Sequence, residues 1–341
     1  MAAGSTVRPM KMLVAFRQTG HKILELTGEQ TCSDRVQKVK EMSKLIDLTR
    51  PDICYIESPV HPIYRRCDRQ LIRKLHRMGV PIGYFCRDFH LKFRKDFPRR
   101  SDSLINYVKD IIWEFLQKKT DKVLRCCDIV YLPSEKCKEL FDYKDMRVLP
   151  PAGEDKIITR PAPNYTCIYV GGIIGHYNCD LLLETFDYLY QKDHSYHLIL
   201  VTRRKEWNSY LHPLKNAKWL EIHHTSGEGL VPLYKKASLG LIVPRTSITY
   251  NDYCISVKVF EYMSFGLPVV AVNCKAITEM VNSERIGLVA ESSVEDMAIK
   301  IEKLLNNPNE YNNNCKIIKQ ILPKKHLWKH RVNQVITDLT G

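Results

Sequence analysis

Short apolar runs alternate with longer amphipathic stretches along the whole chain. Runs of four to seven apolar residues predict β-strands, and stretches with apolar residues three or four apart predict helices. In the first half, strands are predicted at KILEL (22–26), DICYIES (52–58), PIGYFC (81–86) and DIVYLP (128–133), and helices at 34–49, 66–78 and 104–124. In the second half, strands are predicted at 167–172, 197–202, 220–224, 239–244, 268–272 and 287–290, and helices near 179–191, 231–237, 256–265 and 294–305.

This alternation predicts an α/β protein with parallel sheets. The pattern restarts after PPAGEDK (150–156), which favours two Rossmann-like, doubly wound domains that face each other across a cleft. The expected domains are residues 1–155 and residues 156–322. A closing C-terminal helix in 323–341 is expected to cross back to the first domain, with Trp328 as a packing anchor. MKMLVAFRQTG (10–20) followed by KILEL predicts a first helix, a glycine turn and the second strand of a Rossmann half. Nothing upstream is long enough for the usual first strand, so either the chain is truncated or this protein lacks that strand. Ligands of such sheets bind at the carboxyl ends of the strands.

Composition and charge narrow the range of partners. The chain of 341 residues has a formal net charge of +14, and residues 61–125 hold 17 basic against 7 acidic residues. A concentrated basic field favours an anionic partner such as phosphate groups or an anionic membrane surface. Nucleic acid is not expected, because no aromatic–basic sheet pattern or known motif is present. Without a secretion signal or an apolar run of about 18 residues, and with 12 cysteines that lack zinc-site spacing, a cytosolic protein with free thiols is expected.

One stretch, SVKVFEYMSFGLPVVAV (256–272), carries an acid inside an otherwise apolar helix. A buried carboxylate is unfavourable unless a partner hydrogen-bonds it, so Glu261 is either solvated or faces a ligand with hydroxyl groups. The stretch resembles the donor-site helix of GT-B nucleotide-sugar glycosyltransferases, especially the bacterial surface-polysaccharide type. The resemblance implies that Glu261 binds the donor ribose and that the backbone N–H groups of Ser256 and Val257, with the Lys258 ammonium, bind the diphosphate.

Other stretches lie where the same resemblance requires donor contacts. YVGGIIGHYN (169–178) places Gly171 and Gly172 after a strand, where the backbone can approach a ligand closely. Arg203 and Lys205 follow the next strand, and the resemblance implies that they contact the diphosphate; a solvated basic loop is the alternative.

Two further features of the donor half are implied by the same resemblance. GEGLVPLYKKASLGLIVPR (227–245) corresponds to the base-binding loop. Tyr253 stands where many members carry a second glutamate, beside Asp252, and these two residues are candidates for contact with the donor sugar.

In the first domain, Asp88 and His90 follow a strand that ends at Cys86. A carboxylate or imidazole at this edge is suited to act as a general base or to stabilise a cationic sugar. The alternative for Asp88 is a structural ion pair with Arg87. The resemblance also suggests that residues 4–6, Gly-Ser-Thr, form a glycine-containing loop that meets the donor.

The basic region 93–119 contains a helix with an apolar face. Leu104, Val108, Ile111, Ile112 and Phe115 share that face, and we expect it to pack on the core while the basic side is solvated. The alternative is that the basic rim and exposed aromatic residues lie on an anionic membrane, where a lipid-linked acceptor would reside.

The resemblance implies a metal-independent glycosyltransferase without a cofactor. It would move a sugar, with retained anomeric configuration, from a UDP- or GDP-sugar to a lipid-linked or polysaccharide precursor, at the inner face of the cell membrane. A non-catalytic nucleotide-sugar-binding or scaffold protein and a sugar-nucleotide epimerase of the same fold remain alternatives. An NAD-linked dehydrogenase is disfavoured because GGIIG lacks the G-x-G-x-x-G spacing.

Overall fold

The computed structural model describes residues 4–59, 61–93, 95–96, 104–160 and 162–341. The chain divides into two compact units. The N-terminal unit comprises Arg8–Pro150 together with Lys329–Gly341, and the C-terminal unit is built mainly from Pro151–Trp328. The last helix of the chain therefore groups with the first half of the sequence.

The elements follow the alternation of apolar and amphipathic stretches. The strands are β1 (Cys54–Glu57), β2 (Ile82–Phe85), β3 (Ile129–Leu132), β4 (Met146–Val148), β5 (Thr166–Val170), β6 (His197–Val201), β7 (Leu220–His223), β8 (Leu239–Ile242), β9 (Val269–Val272) and β10 (Gly287–Ala290). The helices are α1 (Gly4–Arg17), α2 (Arg35–Thr49), α3 (Arg66–Arg77), α4 (Leu104–Leu124), α5 (Cys179–Lys192), α6 (Arg204–Ser209), α7 (Val231–Lys236), α8 (Val257–Ser264), α9 (Lys275–Glu284), α10 (Val294–Leu305), α11 (Pro308–Lys325) and α12 (Trp328–Thr340).

The sheet of the N-terminal unit is parallel, with its four strands in the order β1-β2-β3-β4. Helix α12 is fastened to this sheet by polar contacts. Asp338 accepts hydrogen bonds from the Tyr131 hydroxyl at 3.0 Å and from the Arg147 guanidinium at 2.5 Å. Because Tyr131 lies on β3 and Arg147 on β4, the helix is held across two strands.

The sheet of the C-terminal unit is also parallel and has the order β10-β9-β8-β5-β6-β7. Along the chain, β5 is the first strand of this sheet. Strands β6 and β7 follow on one side of it, and β8, β9 and β10 then lie on the other side. The strand order therefore reverses between β5 and β8, which is the switch point where doubly wound sheets bind ligands. Apolar clusters cover both faces of this sheet, one against α5 and α10 and the other against α7, α8 and α9.

The expected α/β fold with two parallel, Rossmann-like sheets is confirmed. Of the ten strands in the described residues, nine lie within a few residues of predicted positions, and β4 was not predicted. The run KILEL (22–26) is the exception, because the structure forms no strand there. Its more buried positions, Ile23 and Leu26, are three residues apart, so the run does not present the period-two face that a strand buries. No strand precedes β1 in residues 4–53, all of which the structure describes.

Two other expectations about the first half are wrong. The backbone of residues 4–6 is the first turn of α1 and not a loop. The apolar face of α4 does not pack on the core, because the side chains of Val108, Ile111, Ile112 and Phe115 are 48–56% exposed. Leu104 is in the helix, but its side chain lies outside the described part of the structure, as do residues 94 and 97–103 of the predicted basic region.

Helix α4 is attached to its unit through a different face. The Trp113 ring lies 4.8 Å from the His61 ring, and the Thr120 hydroxyl accepts a hydrogen bond from the Ile63 backbone N–H at 2.9 Å. Within the described residues, no helix combines the length and apolar character that crossing a bilayer requires.

Candidate functional site

The loop after β5 and the start of α8 meet at the switch point of the C-terminal sheet. The Gly171 N–H donates to the Val201 carbonyl at 2.9 Å, which holds the loop against the end of β6. Gly171 has a φ of +150°, and a Cβ atom there would lie 2.4 Å from Cε of Lys258. Only glycine therefore lets the Lys258 side chain pass directly beneath the loop.

Lys258 is buried, with 8% of its surface exposed. Its ammonium nitrogen lies 3.8 Å from the centroid of the Tyr177 ring and 5.0 Å from that of Tyr169. The aromatic faces stabilise the cation, but among the described residues no carboxylate lies within ion-pair distance of it. A buried cation without an acidic partner favours an anionic ligand.

Helix α8 begins beside this ammonium group. Ser256 caps the helix, and its hydroxyl accepts the Lys258 N–H at 3.3 Å. The start of α8 at Val257 agrees with the expected start of the helix, and its partial positive charge adds to that of Lys258. Three predicted donor-site residues thus lie together at the start of α8: Ser256, Val257 and Lys258.

Glu261 lies about one turn further along α8 and is partly exposed. The helix ends at Ser264, and Gly266, two residues later, has a φ of +70° and donates its N–H to the Met263 carbonyl at 2.9 Å. This left-handed glycine lets the chain turn back into β9, as the sequence pattern predicts. Glu261 and Lys258 are three residues apart and therefore neighbours on the helix surface.

The predicted basic residues after β6, Arg203 and Lys205, are more exposed to solvent than Lys258. Arg203 is half-exposed, and its Nε lies 2.9 Å from Oε1 of Glu206. The second oxygen of Glu206 accepts the Ile173 N–H at 3.0 Å, so this carboxylate joins the basic segment to the glycine loop. Lys205 is exposed on α6.

Asp252 and Tyr253 lie at the end of a short 3-10 helix, Thr249–Asp252. The Asp252 carboxylate accepts the backbone N–H of Lys275 at 3.1 Å and lies 3.5 Å from the Lys275 ammonium. It therefore bonds the first residue of α9. Contact of Asp252 or Tyr253 with a donor sugar stays a prediction.

In the N-terminal unit, Asp88 and His90 are close together after β2. The Arg87 Nε lies 3.2 Å from one oxygen of Asp88, and Nε2 of His90 lies 3.5 Å from the other. Burial by itself would raise the pKa of Asp88, but the hydrogen bond with His90 and the charge of Arg87 outweigh it, and the pKa is lowered. An ionised Asp88 is suited to stabilising positive charge more than to accepting a proton.

A second charged cluster of the N-terminal unit was missed from the sequence. Arg8 is almost fully buried on α1, and its Nε lies 3.0 Å from Oε1 of Glu57 at the end of β1. Its other nitrogens donate to the Tyr55 hydroxyl at 3.3 Å and the Pro150 carbonyl at 3.0 Å. The pattern of isolated charges in apolar runs, Arg8 in α1 and Glu57 in β1, is a signal that could have found it.

The tyrosines around Lys258 and the link through Glu206 were also missed. Tyr177 lies within the quoted glycine-containing stretch, but its ring orientation depends on the fold. Within the described residues, no group of three or more His, Cys, Asp or Glu side chains is arranged to hold a metal ion.

Comparisons with known proteins show what the C-terminal part of this site is similar to. Residues 164–307 match the family model for glycosyl transferases group 1, a range that contains the glycine loop, Arg203, Lys258 and Glu261. An uncharacterized glycosyltransferase of Haemophilus influenzae is 26% identical over 243 residues, which are 61% of this chain. The aligned part spans 64% of that relative's length.

Solved structures share the fold over most or all of the chain. WaaG, a glycosyltransferase involved in lipopolysaccharide biosynthesis, matches with a TM-score of 0.65 and 13% identity, covering 100% of this chain and 97% of its own. The pneumococcal O-GlcNAc transferase GtfA, solved with UDP and GlcNAc, matches with a TM-score of 0.60 and 9% identity, covering 89% and 59%. The similarity predicted from the sequence, to GT-B glycosyltransferases, is confirmed by these matches.

Proposed function

We propose that this protein is a glycosyltransferase whose donor is a nucleoside diphosphate-sugar. The chain has the GT-B fold, and its residues 164–307 match glycosyl transferases group 1. The observation that carries this proposal is the buried Lys258 ammonium, which lies beneath the glycine loop and beside the start of α8. A diphosphate bound there would neutralise the cation and accept the N–H groups at the helix start.

The diphosphate and the ribose of the donor have different proposed partners in the protein. We assign the diphosphate to Lys258, the N–H groups of Ser256 and Val257, and the exposed Arg203 and Lys205. Glu261 is assigned to the ribose, because a carboxylate accepts hydrogen bonds from vicinal hydroxyl groups. Gly171 and Gly172 let the donor approach the backbone closely.

We propose that these groups stabilise the departing diphosphate without a metal ion. The negative charge that develops on the leaving group is balanced by fixed cations and helix N–H groups, which do not have to reorganise during the reaction. UDP and GDP are both candidate nucleotides, and transfer of a hexose with retained configuration follows from the family resemblance.

The ionised Asp88, with His90 as its partner, is proposed to act on the acceptor side. Its lowered pKa favours electrostatic stabilisation of a cationic sugar. Asp252 and Tyr253 are proposed as neighbours of the donor sugar. Asp252 would have to serve this role while it bonds Lys275.

For the acceptor, we propose a saccharide on a lipid or a polysaccharide precursor. The fold similarity to WaaG, involved in lipopolysaccharide biosynthesis, supports this choice. The exposed apolar face of α4 supports contact with an anionic membrane, because Lys118 and Lys119 follow it and the Lys119 ammonium lies 4.2 Å from the Phe115 ring. The place of action would be the cytoplasmic side of the membrane.

The test is incubation of the protein with UDP-, GDP- and ADP-sugars, alone and with lipid extracts, followed by mass spectrometry of the products. The proposal expects a nucleoside diphosphate to be released and a sugar to be added to an acceptor or to water. Release of no nucleoside diphosphate from any donor would contradict it.

A non-catalytic donor-binding protein is the second candidate. Two observations favour it: Asp252 is bonded to α9, and no strand precedes β1 in residues 4–53. Donor binding without transfer or hydrolysis would support this alternative. Conversion of the donor to a second sugar nucleotide would instead identify an epimerase.

A further inference from the structure

Tyr234 has a buried hydroxyl group that the protein leaves without a hydrogen bond. The residue lies on α7 and is 2% exposed. No donor or acceptor among the described residues lies within hydrogen-bond distance of its hydroxyl oxygen. A buried polar group without a partner is unfavourable, so phenylalanine would suit a purely structural role better.

Other buried tyrosines of the C-terminal unit do bond their hydroxyl groups. Tyr169 donates to the Gly172 carbonyl at 2.5 Å, Tyr262 to the Leu241 carbonyl at 3.1 Å, and Tyr311 to the Ser238 carbonyl at 3.2 Å. Tyr234 therefore differs from these three buried tyrosines of the same unit, and packing alone does not explain its hydroxyl group.

The ring of Tyr234 is held next to the face of α8 that carries Glu261. It stacks on Phe265, with ring centroids 4.3 Å apart and an interplanar angle of 18°. It also meets the edge of the Tyr262 ring at 6.1 Å. Phe265 is four residues after Glu261, so the two side chains lie on the same side of the helix.

The pKa of the Tyr234 hydroxyl agrees with a position close to Glu261. Burial raises the pKa of the Tyr234 hydroxyl well above its usual value, and the charge of Glu261 adds to the rise. The hydroxyl therefore stays protonated and can donate a hydrogen bond towards a carboxylate.

We propose that Tyr234 is a positioning residue for the nucleoside: its hydroxyl donates to the Glu261 carboxylate and orients it towards the ribose hydroxyl groups of a bound nucleoside diphosphate. This inference rests on the proposed function. It explains why a hydroxyl group is retained in an apolar core, because the group gains its partner in the ligand-bound state. The Glu261 carboxylate would then accept hydrogen bonds from both the Tyr234 hydroxyl and the ribose.

The test compares Tyr234→Phe with Tyr311→Phe, which removes a hydroxyl that bonds a backbone carbonyl. UDP and GDP are titrated into the wild type by calorimetry, and the one that binds is compared with its 2′,3′-dideoxy analogue in each variant. Thermal unfolding is measured in parallel.

We expect Tyr234→Phe to bind the ribonucleotide roughly tenfold more weakly, with an unchanged or higher Tm. Its preference for the ribonucleotide over the dideoxy analogue should fall, because only the ribose contact is affected. Tyr311→Phe should show a lower Tm and an unchanged preference.

Two results would overturn the inference, and they differ. If the wild type binds UDP or GDP and Tyr234→Phe keeps the same affinity and the same ribose preference, the positioning role is wrong while the donor site stands. If the wild type binds neither nucleotide, the proposed function fails and the inference fails with it.

Discussion

At the scale of single residues, Lys258 is the buried cation of the proposed donor site. Its ammonium group is buried between Tyr177 and Tyr169, and the absence of a side chain at Gly171 makes room for it. Arg203, by contrast, is half-exposed and shares its charge with Glu206. A desolvated cation interacts more strongly with a phosphate than an exposed one does.

We predict that Lys258→Met lowers the affinity for nucleoside diphosphate by about tenfold or more. The Tm should stay unchanged or rise, because an apolar side chain of similar length replaces a buried charge. The ratio of diphosphate to monophosphate affinity, measured by calorimetry, should fall as well. Lys316→Met, at an exposed position on α11, is the matched control. Equal affinities of both variants would remove Lys258 from the site.

Asp88 gives a prediction about pH. Its pKa is lower in the folded protein than the ordinary value of about 3.9, so its ionised form stabilises the fold above that pH. This contribution is lost as the pH falls through the lowered folded value.

We therefore expect Asp88→Asn to reduce the free energy of unfolding by on the order of 1 kcal/mol at pH 7 and pH 5. The difference in the free energy of unfolding between variant and wild type should become smaller below pH about 4. Urea unfolding at several pH values measures it, with the exposed Asp155→Asn as control. A gap that does not change with pH would show that ionisation of Asp88 does not stabilise the fold.

At the scale of elements, most helices and strands follow directly from the apolar pattern. Strands such as β3 and β9 are continuous apolar runs whose residues are all buried. The glycine after α8 marks the end of that helix. The run 22–26 failed because a strand also needs a neighbour with which to pair. Met146–Val148 was missed because a three-residue strand has no measurable period.

Helix α4 shows what periodicity leaves undetermined. The pattern correctly predicts that Val108, Ile111, Ile112 and Phe115 share one face, but it does not say what covers that face. The side chains that dock the helix are Trp113 and Thr120, on the other side. Both an inward and an outward apolar face produce the same repeat.

We predict that Ile112→Glu weakens binding to vesicles of mixed zwitterionic and anionic phospholipid by about tenfold, because a charge replaces apolar surface that enters the membrane. The Tm should change little, since Ile112 is 51% exposed. Ile299→Glu on α10 is the matched control, because Ile299 is 54% exposed. Cosedimentation measures both variants. If Ile112→Glu binds as the wild type and Ile299→Glu do, α4 is not the contact surface.

At the scale of the whole molecule, the two units differ in how much of their function the sequence predicts. In the C-terminal unit, the residues of the motif 256–272 meet the glycine loop because parallel strands end at one edge of the sheet. The aromatic surroundings of Lys258 and the bonding of Asp252 to Lys275 depend on side-chain directions, which no spacing rule supplies.

In the N-terminal unit, the sequence predicted three of the four strands and the position of Asp88 and His90 after β2. It missed the Arg8–Glu57 pair, because those residues are 49 positions apart and meet only when α1 packs on β1. The basic excess in residues 61–125 was visible from composition, but its distribution over a surface was not.

The most direct test of the donor site is a calorimetric titration of UDP and GDP into the wild type, Glu261→Gln and Glu279→Gln. Glu279 is an exposed glutamate on α9 and serves as the matched control. We predict that the wild type and Glu279→Gln bind one of the two nucleotides alike. Glu261→Gln should bind it at least about tenfold more weakly, because the amide has one uncharged acceptor oxygen where the carboxylate has two charged ones. Equal binding by all three proteins, or binding by none, would contradict the assignment of this site.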